Sequence, residues 1–530
     1  MVTTRRRLVH SLLFFLILIT VSQLHAEGHG VLTWHNDNSR LGQNLEETVL
    51  THANVNAETF GKVGFFPTDG KVDAQPLYVH AVKVGGLIRN MLFVASEHDT
   101  VYAFGAETGD VIWHVSLLKP GETTASNGCP QISPEIGVTA TPVIDLTEGP
   151  HGAIYVVSMS VDESGNYHQR LNALDLTTGT QLFGGPTEIH ASYPGTGDSS
   201  TDGRVIFEPR HYAERAALLK WNGDIYTAWT SHCDERPYTG WVISYDESTL
   251  KQTAVLNVTP NGSQGAVWMS GAGLAAISTG VFFLDANGTF DTTLNDEGFP
   301  VKGDFGNAFI KFDRTSSGEL QVVDYYATDT TVQQSDVDHD LGSGGVILLP
   351  PVSDNAGNQH YLAIGAGKDT NIYVVDRRNM GKYHPNGGYL YQTLTGALPQ
   401  GERAGPVYFD NKVYFGGVND HLKAFGISNA RLVSTPVSMS SAKFNYPGAS
   451  PSISANGSHD GIVWAVDDGG IGVLYAFNAA DLSQELYDSN QAGARDQFGP
   501  GNKFITPTVF NGRVYVGVQT GVAVFGLLGQ

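Results

Sequence analysis

The chain has 530 residues, a formal net charge of −22, 16% charged and 41% hydrophobic side chains, and 63 glycines. The acidic balance argues against nucleic acid, whose phosphates demand basic patches, and against anionic membrane surfaces. Many glycines with few charges suit short strands joined by tight turns and exclude coiled coil and disorder.

Arg5, Arg6 and Arg7 precede an apolar run from Leu12 to Val21, too short to span a bilayer. Residues 1–26 therefore read as a signal peptide cleaved after Ala26, which predicts a secreted or periplasmic protein without membrane insertion. Residues 27–61 read as an N-terminal lead segment and 62–530 as a single domain.

The domain is a repeat. Its clearest copy begins with a short strand entered through proline, Ala74-Gln75-Pro76-Leu77-Tyr78-Val79. Proline fits the first residue of a strand because it supplies no amide to the ladder. Met91 to Val115 then gives strand, loop, strand, turn and strand. In its turn, Glu107-Thr108-Gly109-Asp110, glycine can take positive φ. Seven more first strands follow, opening at Ala140, Arg215, Gly271, Gly344, Ala404, Ala449 and Ile505. Eight copies predict an all-β fold, an eight-bladed β-propeller of four-stranded antiparallel blades. The last copy lacks a fourth strand, while Lys62-Val63-Gly64-Phe65-Phe66 is a spare one. That N-terminal strand is expected to complete the last blade and close the ring, leaving no open sheet edge.

Two of these units, Ala103-Phe-Gly-Ala-Glu-Thr108-Gly109-Asp-Val-Ile-Trp113 and Ala173-Leu-Asp175-Leu-Thr-Thr178-Gly179, resemble the repeats of quinoprotein alcohol dehydrogenase-like β-propellers. Trp34 to Asn44 is similar to that family's lead into its first blade. More narrowly, the chain resembles secreted PQQ-like propeller proteins, through Ile136–Asp145, Asp340–Gly345 and Gly365–Asp369. The resemblance implies a PQQ cofactor with Ca²⁺ held by Glu, Asn and Asp, under a ring of two adjacent cysteines. This chain has only Cys129 and Cys233, no adjacent pair, and no Cys-x-x-Cys-His for haem. PQQ with calcium is therefore an alternative, and no cofactor is the first expectation.

Strand alternation sorts the loops. Those before first strands and those between second and third strands should share one face. The candidate channel-mouth residues on them are Asp73, Glu97, His98, Glu135, Arg210, Arg215, Trp268, His339, Asp340, Lys368, Arg403 and Lys503. Rings stack on sugars, while Arg and Lys pair with carboxylates. Arg215 is expected near the channel, either bridging Glu135 or Asp340 or meeting a ligand. Cys129 and Cys233 fall on adjacent blades of this face and are expected to form a disulfide, although two free thiols remain the alternative. Asp99, Asp369 and Asp420 read as turn formers. Gly342-Ser-Gly-Gly345 reads as a close backbone approach. Asp336, Asp338 and Asp340 have only a fragment of calcium-loop spacing, so no metal is assigned. Asn257, Asn261, Asn287 and Asn456 head glycosylation sequons that matter only in a eukaryotic host.

The reading is a secreted propeller, expected as a monomer, that binds a small molecule or glycan at its mouth. The alternatives are a PQQ/Ca-dependent dehydrogenase of alcohols or sugars, a polysaccharide lyase or hydrolase, and an extracytoplasmic scaffold. No Gly-x-Ser-x-Gly or His-Glu-x-x-His motif is present.

Overall fold

The computed structural model describes residues 29–529; the signal-peptide reading of 1–26 lies outside them. Eight sheets of four or five strands follow one another along the chain, and the fold is a β-propeller. Among the described residues the one α-helix is Thr331–Asp336. The spare N-terminal strand does what the count requires. Phe60–Pro67 pairs antiparallel with Gly521–Leu527, Phe60 opposite Leu527 and Pro67 opposite Gly521. It supplies the outer strand of the last sheet, beside Arg513–Val518 and Thr508–Phe510.

The sheets are joined by packed rings. Phe60 meets Trp464 at 5.4 Å and Tyr487 at 5.0 Å, tying the last two sheets together; such pairs contribute about 0.5–1.5 kcal/mol each beyond area burial. The Thr-Gly turns prove to be docking seats. Gly179, at φ +69°, lies under the Trp113 ring, and a Cβ there would come within 2.7 Å of it. Trp113 Nε1 also donates to Leu176 O at 2.9 Å. Gly109 receives Phe66 of the closing strand in the same way. Trp and Thr-Gly are thus paired parts of a blade-to-blade contact.

The third copy departs from expectation. Its first strand is split, Tyr212–Glu214 and Leu219–Trp221 both pairing with Asp224–Ser231. Arg215 to Leu218 lie in the gap, which turns the Arg215 side chain into the ring.

The lead segment crosses the narrow end of the ring and binds the first strands of successive sheets. Gly30–Val31 pairs with Leu77–Val84. Leu32 O accepts from Ile144 N, and Trp34 Nε1 donates to Thr506 Oγ1. Asn38 O accepts from Ala276 N, Ser39 O from Leu348 N, Leu41 O from Tyr408 N and Gly42 O from Ile453 N. The fully buried Arg40 donates to Leu218 O of the third sheet and Leu274 O of the fourth. The segment therefore touches all eight large sheets and plugs one end, so the ring is a cup open at the other.

Candidate functional site

The loops that sequence alternation assigned to one face do meet there. The main cavity of the cup has a volume of about 700 Å³. Its walls come from Asp69–Asp73, Pro130–Glu135, Arg215, Asp468 and Gly501–Phe504. A second cavity of about 190 Å³ shares Gln131 and Phe504 with it, and adds Trp268, Asp338, Asp340, Lys368, Arg403 and Tyr446. Cys129 and Cys233 are bonded, with Cα atoms 5.8 Å apart. The bridge pins the loop carrying Pro130 and Gln131 across the mouth.

Arg215 is the central cation. It is 3% exposed and forms no ion pair among the described residues. Nη1 donates to Thr139 O at 3.3 Å, and the guanidinium stands 5.2 Å from the Phe504 ring centroid. It packs closely over Gly271, where any Cβ would come 3.1 Å from Nη1. Burial lowers its pKa, opposed by the charges of Asp73, Glu97 and Glu214. The expected bridges to Glu135 and Asp340 do not form, because each has another partner. Glu135 Oε2 lies 2.9 Å from His98 Nδ1, which holds the His98 pKa up. Asp340 Oδ2 lies 2.8 Å from Lys368 Nζ.

Beside Arg215 sits a carboxyl pair. Asp73 bonds Lys71 at 2.9 Å and Asn502 at 2.7 Å. Glu97 is fully buried; its Oε2 accepts from Gly137 N and Thr139 Oγ1, while Oε1 has no hydrogen-bond donor. Burial and then the charge of Asp73 push Glu97 well above the usual range. Asp73 stays below its usual value, because Lys71 and its other partners outweigh the effect of burial. Asp468, whose Oδ2 accepts from Phe504 N at 3.1 Å, is pushed up to about 8 by burial and by Asp467.

In the smaller cavity Lys368 Nζ lies 2.6 Å from Asp338 Oδ1 as well as against Asp340. Asn287 Nδ2 donates to Asp338 Oδ1 at 2.8 Å. Asn287 Oδ1 and Asp340 Oδ1 are buried and accept no hydrogen bond. Trp268 meets Phe504 edge-on at 5.5 Å, and Arg403 and Lys503 each stand 5.5 Å from the Tyr446 ring. Backbone strain gathers here: Cys233, Asp234, Met269, Ser270, Asp338 and Phe504 all have φ between +45° and +66°.

Two sequence candidates stand apart. His339 is exposed and lines neither cavity, whereas the buried Asp340 and the exposed Asp338 on either side of it line the smaller one. Arg210 lines a separate cavity of about 280 Å³ with His211 and His232. Asp99 does close a turn, its N donating to Ser96 O at 3.1 Å, and its carboxyl is fully buried, with both oxygens unpartnered and its pKa driven well up by burial. Gly342 does mark a close approach, since a Cβ there would lie 2.5 Å from Ala286 N. Asn287 and Asp234 were missed as site residues, and Asp338 was weighed only as part of a calcium-loop fragment; Asn287 reads only as a sequon, and nothing local links it to Asp340.

The Glu–Asn–Asp calcium constellation implied by the resemblance can be tested on this geometry. Asn287 Oδ1 and Asp340 Oδ1 are hard oxygen acceptors without donors, and Asp338 is adjacent, so the donor chemistry fits a calcium ion. The Lys368 ammonium already balances both carboxylates. The cover of two adjacent cysteines has no counterpart, since the bridge here joins separate loops.

No family model matches the sequence, and no curated protein matches it. Solved structures do. Quinohemoprotein alcohol dehydrogenase from Comamonas testosteroni aligns with TM-score 0.62 and 13% identity, over 95% of this chain and 81% of that one. Quinohemoprotein alcohol dehydrogenase ADHIIG from Pseudomonas putida HK5 aligns with TM-score 0.60 and 13% identity over the same shares. A europium-containing methanol dehydrogenase aligns with TM-score 0.58 and 13% identity, over 95% of this chain and 99% of that one. At this identity the likeness establishes the fold: the chain has the β-propeller fold of the quinoprotein alcohol dehydrogenases.

Proposed function

We propose that this protein is an extracytoplasmic binding propeller whose cup holds a small organic acid, such as a uronic acid. The observation that carries the reading is Arg215: a buried guanidinium with no carboxylate partner, facing a cavity of about 700 Å³ beside an aromatic ring. A planar fork of donors matches a carboxylate, and Phe504 offers a face for the ligand's body. The Cys129–Cys233 bridge supports an oxidising compartment. Calorimetric titration with a panel of uronates and small organic acids tests the reading. Arg215→Gln should weaken the best binder by about 30-fold or more, the loss expected when one partner of a buried charge pair is removed. Equal affinity in the variant, or binding of neutral sugars alone, would overturn it.

A second reading is a quinone- and calcium-dependent dehydrogenase of alcohols or sugars. The orphaned oxygens of Asn287 and Asp340 favour it. A bound quinone would supply the two-electron acceptor. This chain would supply the Trp268 ring as a wall, Lys368 as a fixed cation, and Asn287 Oδ1 and Asp340 Oδ1 as oxygen ligands for the calcium ion. Reconstitution with PQQ and Ca²⁺ should then give a quinone absorbance and dye reduction; their absence rejects this reading alone.

A further inference from the structure

The plug separates the cup from a second concavity on the opposite face, with a volume of about 610 Å³. Its walls are mainly apolar, with Ser39, Ser278 and Thr279 among them. Leu41 comes from the plug, Ile277 from the fourth sheet, and Leu348, Leu349, Pro350 and Pro351 from the fifth. Tyr361 closes one side. A cavity of this size lies within the ~300–1,000 Å³ range of small-molecule sites.

Two cations line this wall, the exposed Arg378 and the buried Arg377. Arg377 is 5% exposed, and its guanidinium stands 6.0 Å from the Tyr361 ring centroid. Nη2 donates to Leu349 O at 3.0 Å. Nε is buried with no acceptor, and Nη1 makes no hydrogen bond among the described residues. Among the described residues no carboxylate forms an ion pair with it, although the charge of Asp376 acts on it from nearby. Asp376, the nearest acid in sequence, is held by Arg378 at 3.0 Å and 3.2 Å. Burial lowers the Arg377 pKa without giving it a partner. An unpaired cation in an apolar wall is costly unless an anion completes it.

We infer that this concavity binds an amphipathic carboxylate, a molecule with one carboxyl group and an apolar body such as a medium-chain fatty acid. The carboxylate would meet Arg377 and the chain would lie against Leu348, Leu349 and Pro350. Charge complementarity selects the head, and the apolar run of Leu41, Ile277, Leu348, Leu349, Pro350 and Pro351 selects the tail. The site is independent of the cup, which is polar and opens at the other end.

Calorimetric titration of the whole protein with decanoate, decanol and decyl sulfate tests this. Decanoate should bind at least tenfold more tightly than decanol, with decyl sulfate no better than decanoate. Arg377→Gln should bring decanoate down to the affinity of decanol. Because Arg377 also bonds Leu349 O, a second variant places bulk at the exposed rim: Ser278→Trp should abolish binding of both while leaving the melting temperature unchanged. Equal affinity for decanoate and decanol, stronger binding of decyl sulfate, or decanoate binding that survives Ser278→Trp would overturn the inference.

Discussion

The plug makes a sharp test of how the cup is built. Arg40 is fully buried and gives its guanidinium to four acceptors: Leu274 O at 2.8 Å, Thr33 Oγ1 at 2.7 Å, Trp34 O at 2.9 Å and Leu218 O at 3.3 Å. Arg40→Met keeps much of the aliphatic stem and removes every donor. Each buried acceptor left without a donor costs about 1–2 kcal/mol, so the loss is about 4–8 kcal/mol. An opposing term exists. Burial holds the Arg40 pKa down to about 10 from 12.5, and relieving that burden returns about 3 kcal/mol. The net destabilisation of the plug is about 1–5 kcal/mol, with a central value near 3. Hydrogen exchange reads it locally. The amides of Ala276, Leu348 and Ile453 donate to plug carbonyls, and they should exchange about 100-fold faster in the variant. Val94, in the middle of the first sheet, should not change. Less than about a threefold change at all three plug-bonded amides would refute the claim that Arg40 fastens the segment.

Two further expectations follow from buried acids at the mouth. Asp468 has a folded pKa of about 8 against 3.8, so the folded state holds its proton where the unfolded chain has lost it. Its contribution is full below about pH 4 and is lost as pH rises to about 8. Asp468→Asn should flatten the decline of melting temperature between pH 5 and 8, and parallel profiles would contradict this assignment. Lys368→Met leaves Asp340, 5% exposed, without its cation. That should cost about 3–5 kcal/mol in urea unfolding, and added Ca²⁺ should restore part of it if the orphaned oxygens form a cation seat; a variant as stable as the wild type would refute the pairing.

The repeat was legible because strands, turns and Trp each leave a local mark. Ring closure was legible by subtraction: the last copy lacked a strand and the region before the first had one to spare. The shared face of Asp73, Glu97, Arg215, Trp268 and Lys368 followed from strand alternation alone. The plug was not legible as a plug. Most of its bonds to the sheets run from backbone amides to backbone carbonyls, such as Leu348 N to Ser39 O, and these leave no trace in side-chain pattern. The turn at Asp99 was legible but the burial of its carboxyl was not, because a turn aspartate looks the same in sequence whether its carboxyl faces water or the inside of the fold. Asn287 was missed because its partners Asp338 and Asp340 arrive from a segment about fifty residues further on, and only the three-dimensional arrangement brings them together.

Charge ties these features together. The chain is acidic, but its buried mouth acids are offset: Asp73 is paired with Lys71 and Asp340 with Lys368, while burial pushes the pKa values of Glu97 and Asp468 up. That leaves Arg215, Arg403 and Lys503 without ion pairs among the described residues, all facing the cup. At long range the protein, with net charge −22, repels an anion. Within a Debye length of the mouth, about 8 Å at physiological salt, the unpaired cations dominate. Affinity for an acid in the cup therefore comes from short-range contacts, and screening the outer field with salt eases approach while leaving the buried Arg215 contact largely intact.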